Sequence, residues 1–136
     1  MKKVLVLDDC PNMRHIIGVV LEFLGVNVDF AASGKEALAQ LKTRTYDLLI
    51  TDIYMAEPNG LSVLRWVQRY NPSQRCLVVT GWGHEESSLE DRKEILNLSD
   101  GLLQKPFDMD ELSAAVTKLL ESDRKEKLVG HGIQNR

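Results

Sequence analysis

The chain has 136 residues, 43% hydrophobic and 27% charged, which is the size and balance of one globular domain with a real core. Its formal charge of −3, with acids and bases interspersed, argues against a nucleic-acid surface or a basic helix that seeks membranes. No apolar run approaches the roughly 18 residues that span a bilayer, and Met1-Lys2-Lys3 leads into a short apolar run rather than a signal-peptide core, so a cytoplasmic chain is expected.

Short β-rich runs alternate with stretches of helical period. The first run, "KVLVL" (3–7), is followed by a helix from about Pro11 to Leu24, with Ile16, Ile17, Val20, Leu21 and Leu24 on one side and Gly25 as its stop. The second run, "NVDFA" (27–31), precedes a helix opened by the capping box of Ser33 and Glu36 and continued by Ala37, Leu38 and Leu41. After "DLLIT" (47–51), a third helix starts near Asn59, carries Leu61, Val63, Leu64, Val67 and Tyr70, and stops before Asn71-Pro72. After "CLVVT" (76–80) comes a mostly charged segment, 85–98, with Leu89, Ile95, Leu96 and Leu98 as its apolar positions, which predicts a solvated helix. The last run, "GLLQ" (101–104), leads to a helix boxed by Asp108 and Glu111 and continued by Leu112, Val116, Leu119 and Leu120.

Most of these runs are apolar throughout, as strands covered on both faces are in a parallel sheet. Five βα units with right-handed crossovers predict an α/β doubly wound three-layer sandwich. Residues 1–121 form the domain, and 122–136 are expected to be the end of the last helix and a polar tail or the start of a linker. Cys10 and Cys76, far apart and without metal spacing, are expected to be free thiols. His15, His84 and His131 form no ligand pattern; Met13, Met55 and Met109 are expected to pack, Trp66 to be partly core and Trp82 to overhang the site.

In parallel α/β sheets, ligands bind beyond the carboxyl ends of the strands. Those ends carry Asp8 and Asp9 after the first strand, Asp52 after the third, Thr80 on the fourth and Lys105-Pro106 after the fifth. Taken singly, each suits a turn or a cap; jointly, they crowd carboxylates whose repulsion raises a pKa or is relieved by a cation. Mg²⁺ (or Mn²⁺) suits such hard oxygen donors and keeps water for a phosphoryl group. Lys105 can neutralise phosphoryl oxygens, and Thr80 and the Gly81 backbone N–H can donate to them.

With "VLVLDD", "LLITDIYM", Gly60 eight residues beyond Asp52, "LVVTGWG" and "LLQKPF", residues 3 to about 121 resemble the receiver domain of two-component response regulators. The resemblance implies a flavodoxin-like sheet of order 2-1-3-4-5, an order for which a receiver of that family is a standing example. It implies that Asp52 is the phosphoacceptor, supplied by a sensor histidine kinase or phosphotransfer protein. Asp9, Asp52 and the Tyr54 carbonyl would hold the metal with help from Asp8, and Lys105-Pro106 would be cis. It also implies a self-phosphorylating and self-dephosphorylating switch rather than a turnover enzyme. Its fourth helix, fifth strand and fifth helix would serve partner binding or a homodimer, with no direct nucleic-acid or membrane contact. The chain departs from the family at Leu102, usually aromatic, at Ala56, commonly proline, and in a longer, more charged segment between Thr80 and Lys105. Bulky Tyr54 and Trp82 flank the expected path of attacking water. A phosphorylation-independent interaction module is the alternative. An aspartyl-phosphate phosphohydrolase is disfavoured by Tyr54, which stands where such enzymes carry a second acid.

Overall fold

The computed structural model describes residues 1–81 and 88–121. Its elements follow in the order β1 (Lys3–Leu7), α1 (Pro11–Phe23), β2 (Asn27–Ala31), α2 (Gly34–Thr43), β3 (Leu48–Thr51), α3 (Gly60–Tyr70), β4 (Cys76–Thr80), α4 (Leu89–Leu98), β5 (Gly101–Gln104) and α5 (Met109–Glu121). The strands form one parallel sheet of order β2-β1-β3-β4-β5.

Because side chains alternate across a strand, each strand feeds two cores. Val4, Val6, Leu48, Ile50, Leu77 and Val79 face Ile17, Val20 and Leu21 of α1 and Leu112, Val116 and Leu119 of α5. Leu5, Leu7, Leu49, Cys76 and Val78 face Ala37 and Leu41 of α2, four apolar residues of α3, and Ile95 of α4. The three central strands are covered on both sides, which is why their runs are apolar throughout; β2 and β5 lie at the edges and are less buried.

The helix starts follow the sequence chemistry. Asn59 and Ser88 accept from backbone N–H groups three residues on, and Asp108 and Glu111 bond each other's N–H at 2.8 and 2.9 Å as a complete capping box. At α2 the box is modified: Ser33 accepts from the Glu36 N–H, but the Glu36 carboxylate returns to Ala32 N–H.

Several apolar positions lie outside the cores. Ile16 sits one helical step from buried Ile17 and turns out with Val19 and Phe23, leaving it 42% exposed. Tyr70 is 63% exposed and packs on Trp66, ring centroids 5.4 Å apart, while Trp66 leans on the core as expected. On α4 only Ile95 is fully buried; Leu89 and Leu96 face solvent, and the helix is also held by a bidentate contact of Arg65 with Glu94. The third strand starts at Leu48 because Asp47 turns its carboxylate to Lys3 N–H. Residues 85–87, at the expected start of the fourth helix, and the expected tail at 122–136 lie outside the described residues, as do Trp82, His84 and His131.

Candidate functional site

The sheet itself sets the spacing of the candidate residues. Its ladder continues past the strand ends: Asp8 N–H donates to Ala31 O at 3.2 Å, Asp52 N–H to Leu7 O at 3.0 Å, and Lys105 N–H to Thr80 O at 2.9 Å. Thr51 Oγ1 donates to the Asp52 carbonyl at 2.7 Å, and Gly60 N–H to Ile53 O at 3.2 Å. Gly60 passes so close that a Cβ there would stand 1.9 Å from Asp52 O. This is the physical reason for the glycine: no side chain fits between the start of α3 and the Asp52 backbone.

One oxygen from each of Asp8, Asp9 and Asp52 lies within 4.8 Å of the others. Lys105 Nζ lies 3.4 Å from Asp8 Oδ2 and 3.3 Å from Asp52 Oδ2. The other oxygens of these two acids accept backbone N–H groups, Asp8 Oδ1 from Cys10 at 2.9 Å and Asp52 Oδ1 from Ile53 at 2.7 Å. Asp8 and Asp52 are buried and Asp9 is exposed.

The electrostatics match this crowding. Burial raises the Asp8 pKa above its ordinary value; the Cys10 N–H and Lys105 oppose the shift, and the Asp52 charge adds to it. For Lys105, burial works to lower the pKa, but attraction to Asp52 and Asp8 outweighs it and the value is raised. Three carboxylates against one ammonium make an acid-rich, hard-oxygen cluster. That donor set fits a divalent Mg²⁺-like ion, for which the three acids are the candidate ligands.

Thr80 is fully buried, and its Oγ1 has no hydrogen-bond partner among the described residues. A buried hydroxyl left unpaired is costly, and an oxygen of a bound ligand would satisfy it. Beside it, Gly81 borders open space. The Tyr54 ring packs on the α2–α3–α4 core and its hydroxyl is buried. Leu102, opposite Val78 on β5, packs on the same core, on the sheet face that it shares with Thr80. Trp82 lies outside the described residues. Lys105-Pro106 is cis, as the resemblance implies; Glu57-Pro58 is also cis, which the sequence reading did not anticipate. That reading also passed over Arg14, whose Nη1 donates to the Asp8 carbonyl at 2.7 Å. A cation one helical turn beyond paired aspartates was the available signal.

Comparison with known proteins agrees with this fold. Residues 4–117 match the response regulator receiver domain family. The transcriptional regulatory protein ZraR of Escherichia coli O157:H7 is 35% identical over 86% of this chain, which spans 26% of that protein. The response regulator ArlR of Staphylococcus saprophyticus is 29% identical over 95% of this chain and 57% of its own length. The chain thus covers about a quarter of ZraR and just over half of ArlR. Among solved structures, a CheY-like receiver domain protein of Methanospirillum hungatei aligns with TM-score 0.83 and 28% identity, over 93% of this chain and 98% of that one. The response regulator TrrA of Thermotoga maritima, in complex with Mg²⁺ and BeF, aligns with TM-score 0.76 and 34% identity, over 88% of this chain and 99% of its own.

Proposed function

This chain belongs to the response regulator receiver domain family, and from that premise we propose that Asp52 accepts a phosphoryl group from a sensor histidine kinase or a phosphotransfer protein. The observation that carries this reading is the buried Asp52 carboxylate, clustered with Asp8 and Asp9 and bridged to Asp8 by Lys105. An Asp52 carboxylate oxygen attacks phosphorus, the bond from phosphorus to the donor atom breaks, and the donor keeps that electron pair. Lys105 neutralises the phosphoryl oxygens, while Thr80 Oγ1 and Gly81 N–H donate to them. Asp9, Asp52 and the Tyr54 carbonyl would hold Mg²⁺, with Asp8 assisting through water, and the ion when bound supplies charge neutralisation at the same oxygens. Little proton transfer is needed for this step.

The resulting acyl phosphate is then lost to water within the same domain. The added charge draws on Thr80, and α4, β5 and α5 respond as the surface for a partner or a second copy. Support for that surface comes from the weak seating of α4, which fully buries only Ile95. Inverting a resting population from 1:99 to 99:1 requires about 5.5 kcal/mol of preference for the active state. Here a packed leucine at 102 takes the place where relatives use a ring.

The test is labelling by a small phosphodonor such as acetyl phosphate with and without Mg²⁺. The wild-type chain gains a hydroxylamine-sensitive phosphoryl group only with the metal, and Asp52→Asn gains none. Labelling that persists in Asp52→Asn would overturn the assignment.

A further inference from the structure

We propose that Arg14 is a positioning residue for the metal, acting by fixing where the Asp9 carboxylate stands. The proposal rests on the reading that Asp8, Asp9 and Asp52 together hold a divalent ion.

Asp9 is the exposed member of the cluster and makes no hydrogen bond or ion pair among the described residues. Asp8 and Asp52 are each held at both oxygens, by a backbone N–H and by Lys105. The place of the Asp9 carboxylate therefore depends on its backbone. That backbone turns sharply from β1 into α1, where Cys10 supplies no side-chain cap and the first helical turn holds no acid. Arg14 Nη1 donates at 2.7 Å to the Asp8 carbonyl, which belongs to the same planar peptide unit as the Asp9 nitrogen. Fixing that carbonyl fixes the plane from which the Asp9 side chain departs. With the Cys10 N–H bond to Asp8 Oδ1, the turn is clamped on both sides of Asp9.

Charge alone would do the opposite. Arg14 forms no ion pair among the described residues, so its guanidinium is a cation beside a proposed cation site, where it repels the metal. The two roles predict opposite signs, and hydrogen-bonded residues behind metal ligands commonly change affinity ten- to a hundredfold.

Mg²⁺ affinity of the purified chain, measured by calorimetric titration, decides between them. Arg14→Ala weakens Mg²⁺ by about tenfold or more, with the metal-free thermal midpoint little changed. Arg14→Lys, which keeps a donor able to reach a carbonyl, recovers most of the affinity. In an Asp9→Asn background, Arg14→Ala makes no further difference, because its effect runs through Asp9. Should Arg14→Ala not fold, Arg14→Met retains the aliphatic stem and takes its place. Unchanged or tighter Mg²⁺ binding in the alanine variant overturns the proposal, as does an equal loss in the Asp9→Asn background. Absence of Mg²⁺ binding by the wild-type chain overturns the metal reading itself, an outcome distinct from either.

Discussion

Gly60 and Asp8 show how closely single residues are matched to the site. A methyl group at position 60 would collide with the Asp52 carbonyl, a backbone atom that cannot swing away. Gly60→Ala is therefore expected to cost at least about 1–3 kcal/mol by overpacking, seen as a lower urea midpoint, and to reduce labelling of Asp52. Asp8 carries a cost of another kind. Its folded pKa is raised, chiefly by burial, so its contribution to stability is fully present below the ordinary value of 3.8 and is lost as pH rises through the folded value. At neutral pH without metal, Asp8→Asn is expected to be more stable than wild type, with the difference vanishing toward acid pH. Urea titrations in chelator across pH 3 to 7 would read this; a less stable Asp8→Asn protein at pH 7 would show that the Lys105 contact outweighs burial.

At the scale of elements, the edge strand β2 is tied to the connection between α2 and β3 by a small polar cluster. Tyr46, buried in the core, donates to Asp29 Oδ2 at 2.7 Å, and Arg44 reaches the same oxygen at 3.0 Å. Burial and the Asp29 charge push the Tyr46 pKa up to about 12. Its contribution is present below the unfolded value near 10 and is lost as pH rises from there toward about 12. Tyr46→Phe should cost about 1.5–3 kcal/mol, as loss of a hydrogen bond to a charged group does, and should abolish the extra alkaline sensitivity, measurable by denaturation between pH 9 and 12. On α4, Ile95→Ala removes the single fully buried anchor, at a cost of about 2–5 kcal/mol if the site cannot collapse. Hydrogen exchange in α4 should rise well above that in α1 and α5. Strand bounds were readable because apolar runs with sharp polar ends have few alternatives: β1, β2, β4 and β5 fall where the runs predict. Outward Ile16 and Leu96 were not, because a helix with apolar residues on adjacent steps does not say which of them faces the sheet. At the site, residue identity was readable at the strand ends, but the close pass of Gly60 and the reach of Arg14 are tertiary distances that no local pattern encodes.

For the whole molecule, two unequal cores share one sheet: α1 and α5 on one face, three helices on the other, with α4 the lightest attached. The acidic cluster at one edge couples the proposed metal to the stability of the fold. Mg²⁺ at a hundred times its dissociation constant should add about 2.7 kcal/mol to stability, and Asp9→Asn should lose most of that gain. Thermal melts with and without the ion would measure it. Asp52, Thr80 and Lys105 stand on or just past the ends of β3, β4 and β5, three neighbouring strands, with Asp52 held by a further ladder bond to β1 and Lys105 by one to β4. Strand spacing in any sheet is close to 4.8 Å. Two such spacings separate β3 from β5, yet Lys105 Nζ stands 3.3 Å from Asp52 Oδ2: the lysine is a clasp drawn across the middle strand, folding two strand widths of sheet edge into the reach of one small group.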